Sequence, residues 1–275
     1  AHVPPEGLTI MRMAFACVMF WIVSLFTVKE KVPLKDLGML FVCALCGVGI
    51  NQGLFIVGLN LSSPVDASII ATAVPIFVLL LAAVILKEPI TRKKSFGVFM
   101  GVSGGLLLVF SSTHAIDSIS SLDGDMMMIV SGLMYAIYLV LSKPLSLRYS
   151  SVTMMKWMFL FTTLTLVPFT FRHVLDAPAF HREVWDFTEL GAIFYVLFGA
   201  TFLPYLLIPM SLKRIRPTTV SMYNYVQPIV ASFIAVMIGQ DTLSWQKVLS
   251  AVLVFTGVYL VTQSKSREDM EKGKR

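Results

Sequence analysis

Charge is what this sequence has least of. Asp, Glu, Lys and Arg make up 14% of 275 residues, apolar residues make up 56%, and mean hydropathy is +0.80. Soluble domains carry about 25% charged and about 45–50% apolar residues, so an ordinary water-soluble globule is excluded. Cysteine is nearly absent: besides Cys43 and Cys46 only Cys17 exists, too few for a tetrahedral zinc site, and the pair reads as apolar packing. The four histidines, His2, His114, His173 and His181, fall in termini or loops, so no apolar run carries a His pair for metal binding or intramembrane hydrolysis. No ATP-binding P-loop is present, and the opening AHVPPEGLT lacks the charged start and apolar stretch of a cleavable signal. No catalytic residue, metal or cofactor is expected.

What is there is a series of apolar runs near the roughly 20 residues that cross hydrocarbon. Nine spans are expected, at 7–28, 36–58, 64–86, 95–112, 123–143, 151–170, 187–211, 217–239 and 244–263, with no room for a soluble domain. The net charge of +6 reports topology rather than a nucleic-acid partner. Lys29, Lys31 and Lys35, then Lys87 and Arg92 to Lys94, then Lys143 and Arg148, then Lys213, Arg214 and Arg216 follow alternate spans, and the tail adds Lys265 to Arg275. The opposite loops hold only Arg172 and Arg182. Excess Lys and Arg marks the cytoplasmic side, which places the C-terminus there in a multi-pass protein of the cell (inner) membrane. Arg12, Lys156 and Lys247 are expected within helices near the other side. Nine spans leave residue 1 outside, which points to a helix before Ala1.

The chain repeats itself. SSPVDASIIATAVPIFVLLLAAVILKEPI, from Ser62, has a counterpart 153 residues later that pairs Pro64 with Pro217, Ser68 with Ser221, Pro75 with Pro228 and Gly104 with Gly257. Glu88 faces Asp241. LTIMRM at 8–13 resembles VTMMKW at 152–157, pairing Arg12 with Lys156. Two five-helix units of odd span number insert in opposite orientations, so the expected fold is all-α and polytopic, an inverted-topology repeat around a midplane site. The boundaries are 1–112 for a first repeat lacking its first helix, 113–263 for the second, and 264–275 for a basic cytoplasmic tail. Pro75 and Pro228 become symmetry-related hinge prolines, because a buried proline removes an N–H and clashes with the preceding turn.

These residues resemble the EamA-type members of the drug/metabolite transporter superfamily. The likeness rests on SSPVDASIIATAVPIFVLLLAAVILKEPITRKKSFGVFMGVSGGLLLV, with its small-residue start, mid-helix Pro, acid after the helix and Gly-rich next helix. A less complete second copy spans 216–261, where Thr242 replaces the Pro after the acid, and PPEGLTIMRMAFA looks like the second helix with its Arg. The resemblance implies ten helices with both termini cytoplasmic, and export of amino acids or related compounds.

Candidate substrate-binding residues are the polar groups that hydrocarbon would penalise. Asn51 and Gln52 interrupt an apolar span, either as interhelical hydrogen bonders or as cavity lining. Tyr223, Asn224 and Gln227 replace Ile70, Ala71 and Val74 of the first copy, and Tyr223 and Gln227, four apart, share a helix face. Tyr135, Tyr138 and Tyr205 lie too deep for the interfacial belt, to which Tyr149, Trp185, Trp245 and Tyr259 are assigned. Arg12 and Lys156 either anchor to headgroups or attract an anionic group such as a carboxylate. Ser63, Pro64 and Asp66 read as a helix cap. The Gly49–Gly53 step and the Gly97, Gly101 and Gly105 series read as close-packing surfaces.

The reading is a non-enzymatic secondary transporter that moves a small molecule, an amphipathic metabolite, by alternating access. A non-transporting scaffold or sensor is the alternative. A nucleotide-sugar or sugar-phosphate exchanger is weaker, since it calls for several deep basic residues. The partners are substrate and lipid bilayer, with a homodimer left open. All sixteen acidic residues fall in loops, tails or terminal turns, so no midplane carboxylate serves a proton relay, and facilitated diffusion or exchange is expected.

Overall fold

In the computed structural model, residues 5–111, 121–175, 187–239 and 244–264 are described. They form nine helical segments: α1 (Pro5–Leu25), α2 (Leu34–Leu61), α3 (64–85), α4 (Arg92–Ser111), α5 (Leu122–Arg148), α6 (Ser151–Leu175), α7 (187–214), α8 (Pro217–Met237) and α9 (Trp245–Thr262). Seven helices among the described residues are long and apolar enough to cross a membrane. The expected all-α polytopic fold is observed. Trp185 and the tail from 265 onward lie outside the described residues.

The helices gather into two compact units, Ala1–Ile56 with Leu141–Arg214, and Val57–Val140 with Ile215–Arg275. Each unit draws helices from both copies of the repeat, so the compact bodies cut across the repeat boundary at 112/113.

In the second unit, the α4–α9 contact carries the symmetry. Gly97 lies against the carbonyl of Gly257, while Gly104 lies against that of Ser250. Under the 153-residue offset, Gly257 corresponds to Gly104 and Ser250 to Gly97. A contact in which i meets the image of j, and j the image of i, is a two-fold contact. Its partners run in opposite senses along the two helices, as an inverted repeat requires. The Ser250 hydroxyl donates to the Gly104 carbonyl.

Both proline-bearing helices open one turn before the proline. In α3 the regular helix ends at Ala71 and resumes at Val74, and in α8 residues Tyr223–Tyr225 form a 3₁₀ turn. A proline ring clashes with the carbonyl four residues back, here Ala71 and Asn224. The Tyr225 hydroxyl donates to the Thr72 carbonyl in the opened turn, and these two are themselves repeat mates. Tyr225→Phe leaves that carbonyl without its donor and is expected to lower stability by about 1–3 kcal/mol. A melting curve of the purified variant indistinguishable from wild type would contradict this.

The Ser63 hydroxyl accepts the Asp66 N–H at 3.0 Å and donates to its carboxylate at 2.7 Å, so the capping assignment holds. The Gly49–Gly53 step does not pack as expected. A Cβ on Gly53 would meet nothing within 4 Å and one on Gly49 only its own helix, which is π-helical over Leu45–Ile50.

Candidate functional site

Two of the expected site residues meet as exact repeat mates. Segments α2 and α7 begin and end 153 residues apart, which pairs Gln52 with Tyr205, and within the first unit the Gln52 amide stands close to the buried Tyr205 phenol. Both helices are π-helical just before this point, at Leu45–Ile50 and Tyr195–Phe202. An extra residue per turn widens the backbone and re-aims side chains, a feature often found at functional sites. The Gln52 amide donates to the Asn51 side-chain Oδ1 at 3.4 Å.

Arg12 joins this pair from α1. Its Nε donates to the Thr201 hydroxyl at 2.6 Å, Thr201 stands one turn before Tyr205 on α7, and the guanidinium acts electrostatically on Tyr205. Thr201, which sequence reasoning did not single out, is fully buried and itself donates to the Val196 carbonyl five residues back, the spacing of a π turn. The surroundings are aromatic. Phe20 lies 4.6 Å from Phe202 and 5.5 Å from Phe159, whose ring meets Tyr205 edge-on at 5.0 Å.

Lys156 does not join Arg12, contrary to the placement of both near one membrane face. Helices α1 and α6 run antiparallel, with Trp21 against Trp157, Phe20 against Phe159 and Cys17 near Thr163. The two-fold centre of that pairing falls near Cys17. Arg12 therefore sits about 8 Å to one side at 1.5 Å per residue, and its mate Lys156 as far to the other. Inverted mates diverge from their axis. The Lys156 ammonium lies over the Trp21 ring, 5.4 Å from its centroid.

The other candidates lie in the second unit. Tyr223 is 49% exposed, Gln227 is exposed and Asn224 half-buried. Tyr135 and the fully buried Tyr138 have ring centroids 6.0 Å apart on α5. Of the two hinge prolines, Pro75 is buried and Pro228 exposed.

Tyr149 is not the lipid-facing belt residue expected: it is buried, and its hydroxyl donates to Asp36 at 2.6 Å, with Arg148 3.3 Å from the same carboxylate. That hydrogen bond, helped by burial, raises the Tyr149 phenol above its ordinary range. Trp245 and Tyr259 are exposed, as belt residues must be. Beside Tyr149, Glu30 accepts the Ser150 N–H and hydroxyl. Burial pushes the Glu30 carboxyl up, but bonds from Thr153 and Ser150 and the charge of Lys213 outweigh it, leaving Glu30 below the usual carboxylate range. Among the described residues no cluster of His, Cys, Asp and Glu is arranged to hold a metal ion.

The sequence pattern of the EamA-like transporter family matches residues 1–110 and 122–263. The chain belongs to that family. An uncharacterized transporter of Archaeoglobus fulgidus is 27% identical over 224 residues, 81% of this chain and 75% of that protein. The uncharacterized transporter YyaM of Bacillus subtilis is 27% identical, covering 92% of this EamA-like chain and 83% of its own. A Salmonella typhimurium protein named "Probable amino-acid metabolite efflux pump" is 24% identical over 94% of this chain and 86% of its own. A solved structure titled only "Crystal structure of protein" shares the fold with a TM-score of 0.79 at 18% identity, covering 96% of this chain and 90% of that one. The chain is thus a multi-pass membrane transporter of the EamA-like family.

Proposed function

We propose that this EamA-like protein is a secondary transporter that exports small amphipathic metabolites, amino acids or related compounds, by alternating access at a midplane cavity between the repeats. The observation that carries the reading is the polar group of Arg12, Thr201, Tyr205, Gln52 and Asn51 beside the buried rings of Phe20, Phe159 and Phe202. Polar side chains at that depth are costly unless they serve a solute or one another. The name of the Salmonella relative supports the choice of substrate class. In the second unit Tyr223, Asn224, Gln227, Tyr135 and Tyr138 are further solute-contacting residues, Pro75 and Pro228 serve as hinges, and the C-terminus faces the cytoplasm of a cell whose inner membrane holds the protein.

Flux of labelled metabolites across proteoliposomes tests this. Saturable flux of at least one amphipathic metabolite is expected, and its absence across a broad panel would favour a scaffold or sensor. Tyr223→Ala and Gln227→Ala should each reduce that flux by up to about tenfold, the worth of one neutral hydrogen bond, without loss of incorporated protein. Their exposure predicts this separation, since removing them empties no packed core. Equal losses of abundance and flux would assign them a structural role instead.

A further inference from the structure

We infer that the Arg12 site recognises the carboxylate of an organic monoanion with an apolar, preferentially aromatic body, and that a free ammonium on the same molecule weakens binding. This rests on the transporter reading above and, within its substrate class, favours compounds related to amino acids but lacking the ammonium over amino acids themselves.

The cation comes first. Arg12 is half-buried, with its Nε bonded to Thr201. That leaves Nη1 and Nη2, the two-donor end that fits a carboxylate bidentately. Among the described residues, the ion pairs are Lys94 with Glu88 and Arg148 with Asp36, and neither involves Arg12. A guanidinium held within a membrane helix without a carboxylate partner costs several kcal/mol, which an incoming anion offsets.

The acids argue against a zwitterion. Among the described residues, no acidic side chain is bonded to Arg12 or Thr201. Five of those described near helix ends have their own partners: Glu30 with Ser150, Asp36 with Tyr149 and Arg148, Asp66 with Ser63, Glu88 with Lys94, and Asp125 with Ser62. A substrate ammonium brought beside Arg12 therefore loses its hydration and finds none of these carboxylates unengaged, whereas the substrate carboxylate finds Arg12. The rings of Phe20, Phe159, Phe202 and Tyr205, tilted, stacked or edge-on at 4.6–5.5 Å beside Thr201, suit an aromatic body.

The test measures the thermal shift of the purified full-length protein with four matched probes: 3-phenylpropionate, 3-phenylpropionamide, phenylalanine and phenethylamine. 3-Phenylpropionate should bind at least about tenfold more tightly than the other three, as one charge-assisted hydrogen bond to a carboxylate predicts. Arg12→Gln should abolish that preference, and Arg12→Lys, which keeps the charge but not the fork, should restore part of it. Unliganded melting temperatures of the variants show whether they fold. If Arg12→Gln fails to fold, Thr201→Val, which releases Nε, should still reduce the preference. Phenylalanine binding as tightly as 3-phenylpropionate would overturn the inference while leaving transport intact, and so would a preference unchanged in a folded Arg12→Gln protein. No response to any probe overturns it too, and the metabolite flux screen then decides the transporter reading separately.

Discussion

Gly257→Ala is expected to lose the folded protein from the membrane, or to lower its stability by about 3 kcal/mol or more. A Cβ at Gly257 would stand 2.6 Å from the Gly97 carbonyl oxygen and 2.7 Å from the Gly101 amide nitrogen. Both are backbone atoms, so relief requires α4 and α9 to separate, and overpacking a tight contact already costs about 1–3 kcal/mol where side chains can give way. Helices in lipid hold together through close backbone approach of this kind, because hydrocarbon provides no hydrophobic drive between them. Gly38→Ala is the control: nothing lies within 4 Å of its added methyl, and the variant should melt like wild type. Comparable melting temperatures for Gly257→Ala and wild type would contradict the α4–α9 contact.

Glu88→Ala should be almost as damaging. The Lys94 side chain has no exposed surface, Glu88 retains 10%, and their charged atoms are 2.5 Å apart. Removing the carboxylate strands a buried ammonium, a loss of about 3–5 kcal/mol when one member of a buried pair is deleted. The turn that presents Glu88 is specific as well, since Lys87 adopts φ 54° and the Glu88 N–H reaches back to the Ala82 carbonyl. Replacing both partners, as Glu88→Ala with Lys94→Met, should recover much of the loss, because no charge is then stranded. Denaturation of the single and double variants in the same detergent checks this, and a single variant within about 0.5 kcal/mol of wild type would show the pair to be an ordinary surface contact.

The nine helices and the repeat were legible because they rest on length, hydropathy and register, which survive when individual side chains change. Pro75 and Pro228 announced the breaks in α3 and α8 for the same reason: the ring clash is local and acts four residues back, at Ala71 and Asn224. Gly97, Gly101 and Gly105 were readable as a packing surface. Gln52 and Tyr205 were each picked out as polar, but their pairing was not, because mates as unlike as an amide and a phenol give no sequence signal of correspondence. Thr201 was missed for want of charge or size, although its position four residues before Tyr205 was available. Lys156 was expected at the same end as Arg12 because its likeness to Arg12 was followed without carrying the inversion through, and inversion sends mates to opposite ends of the α1–α6 pair. The π turns of α2 and α7 leave no compositional mark in LCGVGI or YVLFGATF, so the re-aimed site they precede was not foreseeable.

The most direct measurement is counterflow of labelled 3-phenylpropionate in proteoliposomes, comparing wild type with Arg12→Gln at equal incorporation and without ATP or an imposed pH gradient. The account predicts saturable counterflow by wild type, and a rate lower by roughly ten- to a hundredfold in the variant, the worth of a charge-assisted bond to a carboxylate. Equal counterflow in both, or uphill accumulation that appears only with a pH gradient and vanishes with a protonophore, would contradict it.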